Sequence, residues 1–207
     1  MRVLPFLVFA TAVSCTGRGR APDIVRTTLV DGAVLLHNGA NPVDLLGDGT
    51  PSEVFVAWRG NFNAHGHSSV AIYIRTQSDL GDSVPVWQIV PRFGGPGSDE
   101  SGQELVGTTE GADCTLGDLR LVQHPKAYAE LIVARRELGN SYADSADTHF
   151  DYYHLIKNAD GVIGRPPYYF EFVRTSDARR QYCDVNVAFD QELHLGRHGL
   201  GHGEASQ

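Results

Sequence analysis

Hydrophobic and polar residues alternate along much of the chain with the period of two that is typical of β-strands. The alternation is clearest at residues 69–75 and 84–90, and turn residues rich in Gly, Asp and Pro separate successive runs. The remaining runs are short, apolar and rich in β-branched or aromatic residues, and they lie at 27–30, 33–36, 53–59, 119–122, 131–134, 150–156 and 168–173. Asp31-Gly32 between the first two of these runs predicts a hairpin turn. This spacing predicts a single all-β domain over residues 24–193, an antiparallel β-sandwich.

Two segments have a helical pattern. Residues 184–193 place apolar side chains on one helical face, with Asp184 as the N-cap, so we expect a short helix near the C-terminal end. Residues 126–138 contain good helix formers, but the Leu-Ile-Val run within them is equally consistent with a buried strand. The fold prediction is therefore a sandwich with one or two short helices.

Two further segments have the composition of loops. Residues 98–113 are rich in Gly, Ser and acidic residues, which predicts a long surface loop. Residues 194–207 are rich in Gly and His, which predicts a flexible tail. Three histidines recur there every four residues, but the intervening glycines oppose the helix that would align them for metal binding.

The N-terminal segment has the features of an export signal. Residues 3–13 form an apolar run that follows Arg2 and is too short for a bilayer-spanning helix. Small residues precede Cys15, as in the cleavage site of bacterial lipoproteins. We expect residues 1–14 to be a signal peptide, Cys15 to be the lipidated first residue, and residues 15–23 to be a flexible tether. This predicts a periplasmic protein held on a bacterial membrane by its lipid; the alternative is ordinary signal cleavage that removes Cys15.

The remaining cysteines form an even pair. An exported protein meets an oxidising compartment, so Cys114 and Cys183 are expected to form one disulfide bond. Two buried free thiols are the alternative.

Composition limits the partners of the protein. The chain has 207 residues, with 17 Lys+Arg against 25 Asp+Glu and a net charge of -8. A surface with this acidic balance does not neutralise phosphates, so we expect no nucleic-acid partner. The hydrophobic share of 42% excludes disorder of the whole chain. We expect membrane contact only through the lipid anchor.

An Asp-rich turn precedes the strand at 53–59. Asp44 and Asp48 with Gly49 resemble a calcium-binding turn, in which closely spaced carboxylates surround a hard cation. Leu46 occupies the second ligand position of that pattern. The alternative is an Asp-Gly turn that only leads into the strand.

The motifs of β-lactamases are absent or incomplete. His65 and His67 match part of the zinc-binding pattern of metallo-β-lactamases, but Ser69 and Val70 replace its aspartate and third histidine. The serine enzymes require a serine three residues before a lysine, and neither lysine of the chain has one. We therefore expect no hydrolysis of β-lactams.

One hydrolase pattern is present in part. Gly81-Asp82-Ser83 and Asp151 with His154 mimic the first and last blocks of GDS-type esterases, with Ser83 as nucleophile and His154 as base. A strand follows Ser83 where those enzymes have a helix, so a turn followed by a strand is the alternative.

The stretch 59–65 carries more hydrogen-bonding groups than a short turn requires. One interpretation is structural: Asn side chains satisfy loop backbone groups, and Phe62 anchors the loop in the core. The other is functional: Arg59, Asn61, Asn63 and His65 form a polar patch at one end of the sandwich, where loops gather and ligands bind.

Several stretches, in order, resemble the carbapenem intrinsic-resistance proteins of the CarG type, which are exported bacterial proteins. The matching pieces are residues 44–49, 54–65, 111–116, 131–144, 150–158, 166–174 and 182–193. The resemblance covers roughly residues 24–193, and Leu46 and Ser52 depart from it in the Asp turn. It implies a periplasmic protein that protects against carbapenem without hydrolysing it, with no catalytic residues and no cofactor.

The resemblance leaves the partner open between a β-lactam and a cell-wall or periplasmic protein, and it also leaves open a homo-oligomer. An arginine at position 59 suits the carboxylate of a carbapenem. Two other functions remain as alternatives, namely a secreted sugar- or ion-binding β module and a GDS-type esterase.

Overall fold

The computed structural model describes residues 28–63, 65–77, 84–98, 101–111, 113–197 and 200. The expected signal peptide, Cys15 and the tether lie outside these residues, and so do residues 201–207 of the expected tail.

The described residues form short and long strands followed by one helix. In chain order the elements are β1 (Leu29–Val30), β2 (Ala33–Val34), β3 (Gly39–Val43), β4 (Ser52–Arg59), β5 (His67–Gln77), β6 (Pro85–Ile89), β7 (Arg92–Phe93), β8 (Leu105–Gly107), β9 (Thr109–Glu110), β10 (Thr115–Val122), β11 (Glu130–Arg136), β12 (Thr148–Lys157), β13 (Tyr168–Asp177) and α1 (Val185–Leu193).

The strands form two sheets. The larger sheet has the order β1-β2-β10-β11-β12-β13-β7, with β9 paired to β10. The smaller sheet has the order β3-β4-β5-β6, with β8 paired to β5. All pairs are antiparallel except β13 with β7. The all-β antiparallel sandwich predicted from the alternation is confirmed.

The main core lies between the two sheets. Side chains at every second position of β4 and β5, such as Val54 and Ile72, pack against Leu121, Leu131 and Phe170 of the larger sheet. The opposite faces of β4 and β5 point away from this core, because successive side chains of a strand alternate between its two faces. The side chains of β4 and β5 that do not enter the core therefore lie on the outer face of the smaller sheet.

The helix α1 covers the other face of the larger sheet. Val185, Ala188 and Phe189 are fully buried against Ile132 and Phe150 of the sheet. The Asp184 side chain accepts a hydrogen bond from the Asn186 amide, so Asp184 is the N-cap that the sequence predicts. Among the residues that the structure describes, no helix has the length and apolar character that a bilayer crossing needs.

The disulfide bond joins the residue before β10 to the segment between β13 and α1. Cys114 and Cys183 are bonded, with Cα atoms 5.6 Å apart and a separation of 69 positions in sequence. Cys183 directly precedes the N-cap of α1, so the bond fixes the start of the helix to the residue before β10.

Of the two alternatives for residues 126–138, the buried strand is confirmed: residues 130–136 form the central strand β11, and Leu131, Ile132 and Ala134 are buried on the two faces of the larger sheet. Two other segments differ from their sequence-based interpretation. The expected loop 98–113 contains strands β8 and β9, and Val106, Thr108 and Glu110 are buried there. β3 was not predicted, since Pro42 within it lacks a backbone donor and is typical of an edge strand.

The residues that follow α1 are held by the larger sheet. The Arg120 guanidinium donates hydrogen bonds to the carbonyls of Leu195 and Gly196, at 3.3 and 3.2 Å. The amide of Leu200 donates to Asp118 at 3.2 Å, and Leu200 packs against the main core. The packed part of the C-terminal segment thus extends past the boundary at residue 193 that the sequence indicated.

Candidate functional site

The hairpin β4–β5 carries the residues that the sequence singled out. Its connecting loop, residues 60–66, is braced by two asparagines. The Asn61 side chain donates to the carbonyl of His65 at 2.7 Å, and the His65 amide donates to the Asn63 side chain at 3.0 Å. These bonds close the loop on itself, which is the structural role of Asn in turns. Asn61, Asn63 and His65 are therefore brought together by the structure.

Phe62 does not anchor this loop. Its side chain is fully exposed, and its backbone has a φ of +57°, in the left-handed region. The expectation that Phe62 reaches the core is wrong, because the two asparagines on either side close the turn and direct the ring outward. The apolar side chain of Phe62 suggested burial, but the hydrogen bonds of Asn61 and Asn63 determine the conformation of this loop.

His65 and His67 make different contacts. The ring of His65 lies 4.7 Å, between centroids, from the ring of Tyr142, which belongs to the segment between β11 and β12 of the larger sheet. His67 Nε2 lies 3.3 Å from the hydroxyl of Ser69. The two imidazoles therefore have different partners: the His65 ring contacts an aromatic ring, and the His67 ring contacts a hydroxyl on its own strand.

Arg59 ends the outward-facing row of β4. Glu53, Phe55, Ala57 and Arg59 share one face of this strand, since the alternate residues Val54 and Val56 are buried in the core. Arg59 is exposed, and within the described residues its guanidinium makes no ion pair. Of the four residues of the expected patch, Arg59 is the one that carries a permanent positive charge, and its side chain is open to solvent.

In the Asp44 turn, each of the two carboxylates accepts a hydrogen bond from a backbone amide of the same turn. Asp44 accepts a hydrogen bond from the Gly49 amide at 2.9 Å, and Asp48 accepts one from the Thr50 amide at 2.8 Å. The hydrogen bonds from Thr50 hold the pKa of Asp48 below its ordinary value. At Gly47 the chain has a φ of +69°, and a Cβ there would lie 2.7 Å from the backbone of Ala127. Glycine is therefore required where the turn packs on its neighbour.

In the part of the chain that the structure describes, no group of three or more His, Cys, Asp or Glu side chains is arranged to hold a metal ion. The calcium interpretation of Asp44 and Asp48 stays a prediction that rests on the sequence pattern.

The outer face of the smaller sheet contains a groove that sequence reasoning missed. Glu53, Phe55, Tyr73 and Trp87 line an open cavity of about 410 Å³. The sequence predicted the strands that carry these residues. It did not predict that these side chains are exposed, because period-two alternation does not indicate which face of a strand packs against the other sheet. The sequence did contain one indication of the groove: Phe55 alternates with Val54 and Val56, so an aromatic side chain lies on the face of β4 opposite the two valines.

A second cavity, of about 300 Å³, lies on the larger sheet. Within it the Glu130 carboxylate lies between two imidazoles, 3.9 Å from His124 Nε2 and 3.5 Å from His154 Nε2. These contacts become ion pairs only when the histidines are protonated.

Asp151 and His154, two of the expected esterase residues, contact different partners and not each other. The Asp151 carboxylate accepts hydrogen bonds from Arg135 at 2.9 Å and from Thr175 at 2.6 Å, whereas His154 faces Glu130. Ser83 lies outside the described residues.

These features define a two-sheet antiparallel sandwich with a short helix against its larger sheet. Among solved structures, the crystal structure of CarG matches it with a TM-score of 0.61 and 23% sequence identity. The match covers 77% of this chain and 94% of that chain. At this identity the similarity establishes that the chain has a CarG-like fold. No protein-family model and no curated protein sequence matches the chain.

Proposed function

We propose that the protein protects a bacterium against a carbapenem or related β-lactam without hydrolysing the drug. The observation that carries this proposal is the CarG-like fold, which extends over 94% of the CarG chain. The ordered sequence resemblance to the carbapenem intrinsic-resistance proteins supports the same function. Protection takes place outside the cytoplasm, on a membrane to which the lipidated Cys15 holds the protein.

Two observations support protection without hydrolysis. His65 packs on Tyr142 while His67 faces Ser69, so the two imidazoles do not form the pair that a zinc-dependent lactamase uses. The residues three positions before Lys126 and Lys157 are Gln123 and His154, so neither lysine activates a serine in the way of the serine lactamases. The protein acts by binding the drug or by shielding its target.

The contact with the drug or partner is at the end of the hairpin β4–β5. The exposed Arg59 guanidinium supplies paired donors for a carboxylate, which every carbapenem carries. Asn61 and Asn63 hold the adjacent loop in place through their bonds to the His65 backbone. Arg59 is therefore the contact residue, and the two asparagines are positioning residues.

Survival of a sensitive bacterium tests this function. Cells that express the full chain are compared with cells that express the chain without residues 1–14, across a range of carbapenem concentrations. The full chain should raise survival and the leaderless chain should not. Equal sensitivity of both strains, at equal amounts of folded protein, would contradict the proposal.

Arg59→Ala tests the contact residue, and Arg75→Ala is its matched control. Both arginines are exposed on the outer face of the same sheet, so each change removes one positive charge. Protection should be lost with Arg59→Ala and kept with Arg75→Ala. Equal loss in both variants would indicate a general effect of charge.

A further inference from the structure

Three aromatic side chains form a row across the outer face of the smaller sheet. Phe55 lies on β4, Tyr73 on β5 and Trp87 on β6. Phe55 is paired with Ala71, two positions before Tyr73, and Trp87 is paired with Arg75, two positions after it. Successive members of the row are thus diagonal neighbours, whose Cα atoms are roughly 7–8 Å apart.

The row is exposed to solvent. Phe55 is 46% exposed and Trp87 is 49% exposed, and both line the cavity of about 410 Å³ on this face. A contiguous group of exposed aromatic side chains on a folded domain marks a surface that binds a ligand or a partner. The volume is that of a small-ligand site.

One carboxylate accompanies the aromatic rings. Glu53 lines the same cavity and is paired directly with Tyr73 across the strands. Within the described residues Glu53 makes no ion pair. An ionised carboxylate only accepts hydrogen bonds, so it selects a ligand that presents donors.

These features identify the chemistry of the ligand. A sugar ring has a face of C–H groups, which stacks on an aromatic ring, and a rim of hydroxyl groups, which donate to a carboxylate. A purely apolar ligand would bury the charge of Glu53 without a partner, at a cost in free energy. An anion would be repelled by Glu53. A row of rings, rather than one ring, matches a chain of linked sugars.

We propose that the groove of Glu53, Phe55, Tyr73 and Trp87 binds a neutral oligosaccharide, with the three rings stacked on successive sugar units and Glu53 accepting from a hydroxyl. This binding goes beyond the protective function and does not depend on it.

Trp87 fluorescence gives a direct readout. Trp58→Phe leaves Trp87 as the one tryptophan of the chain. Tetrasaccharides of glucose in β- and α-linkage and of N-acetylglucosamine are titrated separately, because linkage and substituents are not determined by the groove. At least one should produce a saturable shift of the emission. If Trp58→Phe fails to fold, the difference between the native chain and Trp87→Phe provides the same readout.

Variants then test the residues by calorimetry. Phe55→Ala, Trp87→Ala and Glu53→Gln should each weaken binding of the tetrasaccharide by roughly fivefold, which corresponds to about 1 kcal/mol for one stacking or hydrogen-bonding contact. Phe62→Ala is the control, because Phe62 is a fully exposed aromatic residue outside the groove, and this variant should bind like the native chain.

Four results would overturn the proposal. The first is no heat and no emission shift with all three tetrasaccharides at about 10 mM, well above the roughly 1 mM Kd of a weak site. The second is binding that Phe55→Ala and Trp87→Ala leave unchanged. The third is an emission shift that follows protein concentration alone, since the face would then bind a second copy. The fourth is tighter binding of an anionic tetrasaccharide such as tetragalacturonate.

Discussion

The guanidinium carbon of Arg120 lies 4.3 Å from the centroid of the Phe189 ring, which places a cation of the larger sheet against the face of α1. The same guanidinium donates to the Asn186 side chain at 2.7 Å and to the carbonyls of Leu195 and Gly196. Arg120 is almost fully buried and lies 3.5 Å from the Asp118 carboxylate. One side chain therefore connects the sheet, the helix and the segment that follows the helix.

Arg120→Ala should lower the free energy of unfolding by about 3 kcal/mol or more, because it leaves the buried Asp118 carboxylate without its counter-charge and removes the donor to the carbonyls of Leu195 and Gly196. Hydrogen exchange should rise first at residues 195–197, because the carbonyls of Leu195 and Gly196 lose their donor. Arg174→Ala is the control: Arg174 stacks on Tyr152 at 3.7 Å but is exposed, so its loss should cost only about 1 kcal/mol or less. Equal costs for the two variants would contradict the connecting role of Arg120.

The disulfide bond should contribute about 4 kcal/mol to stability, because Cys114 and Cys183 close a loop of 69 positions in the unfolded chain. Denaturant unfolding of the native chain, with and without a reductant, measures this contribution. Mass spectrometry of the unreduced exported protein should show the two peptides linked. Free thiols at both positions, or a Cys114→Ser/Cys183→Ser variant as stable as the native chain, would contradict it.

Asn63→Ala should destabilise the protein by about 1 kcal/mol, since it removes the acceptor of the His65 amide. Phe62→Ala should change stability by less than about 0.5 kcal/mol, since the ring is fully exposed. Thermal unfolding of the two variants distinguishes a loop held by hydrogen bonds from one held by its aromatic residue. A larger loss in Phe62→Ala would show that the ring stabilises the loop.

Asp48 should make stability depend on pH at the acidic end. Its pKa in the folded chain is lowered from 3.8 by the hydrogen bonds from Thr50, so the ionised form favours folding. This contribution is present above the unfolded pKa and is lost as the pH falls through the folded pKa. Asp48→Asn cannot ionise, so its melting temperature should be slightly below that of the native chain at pH 7 and should converge with it near pH 2.

The convergence is the informative part of the Asp48 experiment. A deficit that stays constant down to pH 2 would mean that the charge of Asp48 does not matter. The same two proteins also test the calcium interpretation. If the turn binds calcium, millimolar calcium raises the melting temperature of the native chain above that of the chelated protein, and Asp48→Asn loses the difference.

The strands and the helix were predictable because their information is local. Alternation located β5 and β6, and the cap at Asp184 with a one-sided apolar pattern located α1. β11 was ambiguous, because both faces of a central strand are buried and alternation disappears. No local pattern indicates that Arg120 is buried, because its burial comes from its contacts with α1 and with Asp118.

The candidate site was predictable in part for the same reason. The braced loop followed from the spacing of Asn61 and Asn63, because their hydrogen bonds reach only a few residues along the chain. The aromatic groove joins residues of three strands, and its members come together only through the register of β4, β5 and β6. Register depends on the whole sheet, so no local pattern of the sequence contains it.

The central claim is protection that leaves the drug intact, and one culture experiment measures both parts. A sensitive bacterium that expresses the full chain is grown with a carbapenem at a concentration lethal to the same strain without it, and intact drug in the medium is assayed by chromatography as the cells grow. If the protein protects without hydrolysis, the cells survive and the drug concentration equals that of a cell-free control. Survival accompanied by loss of the intact drug in proportion to the protein would contradict it.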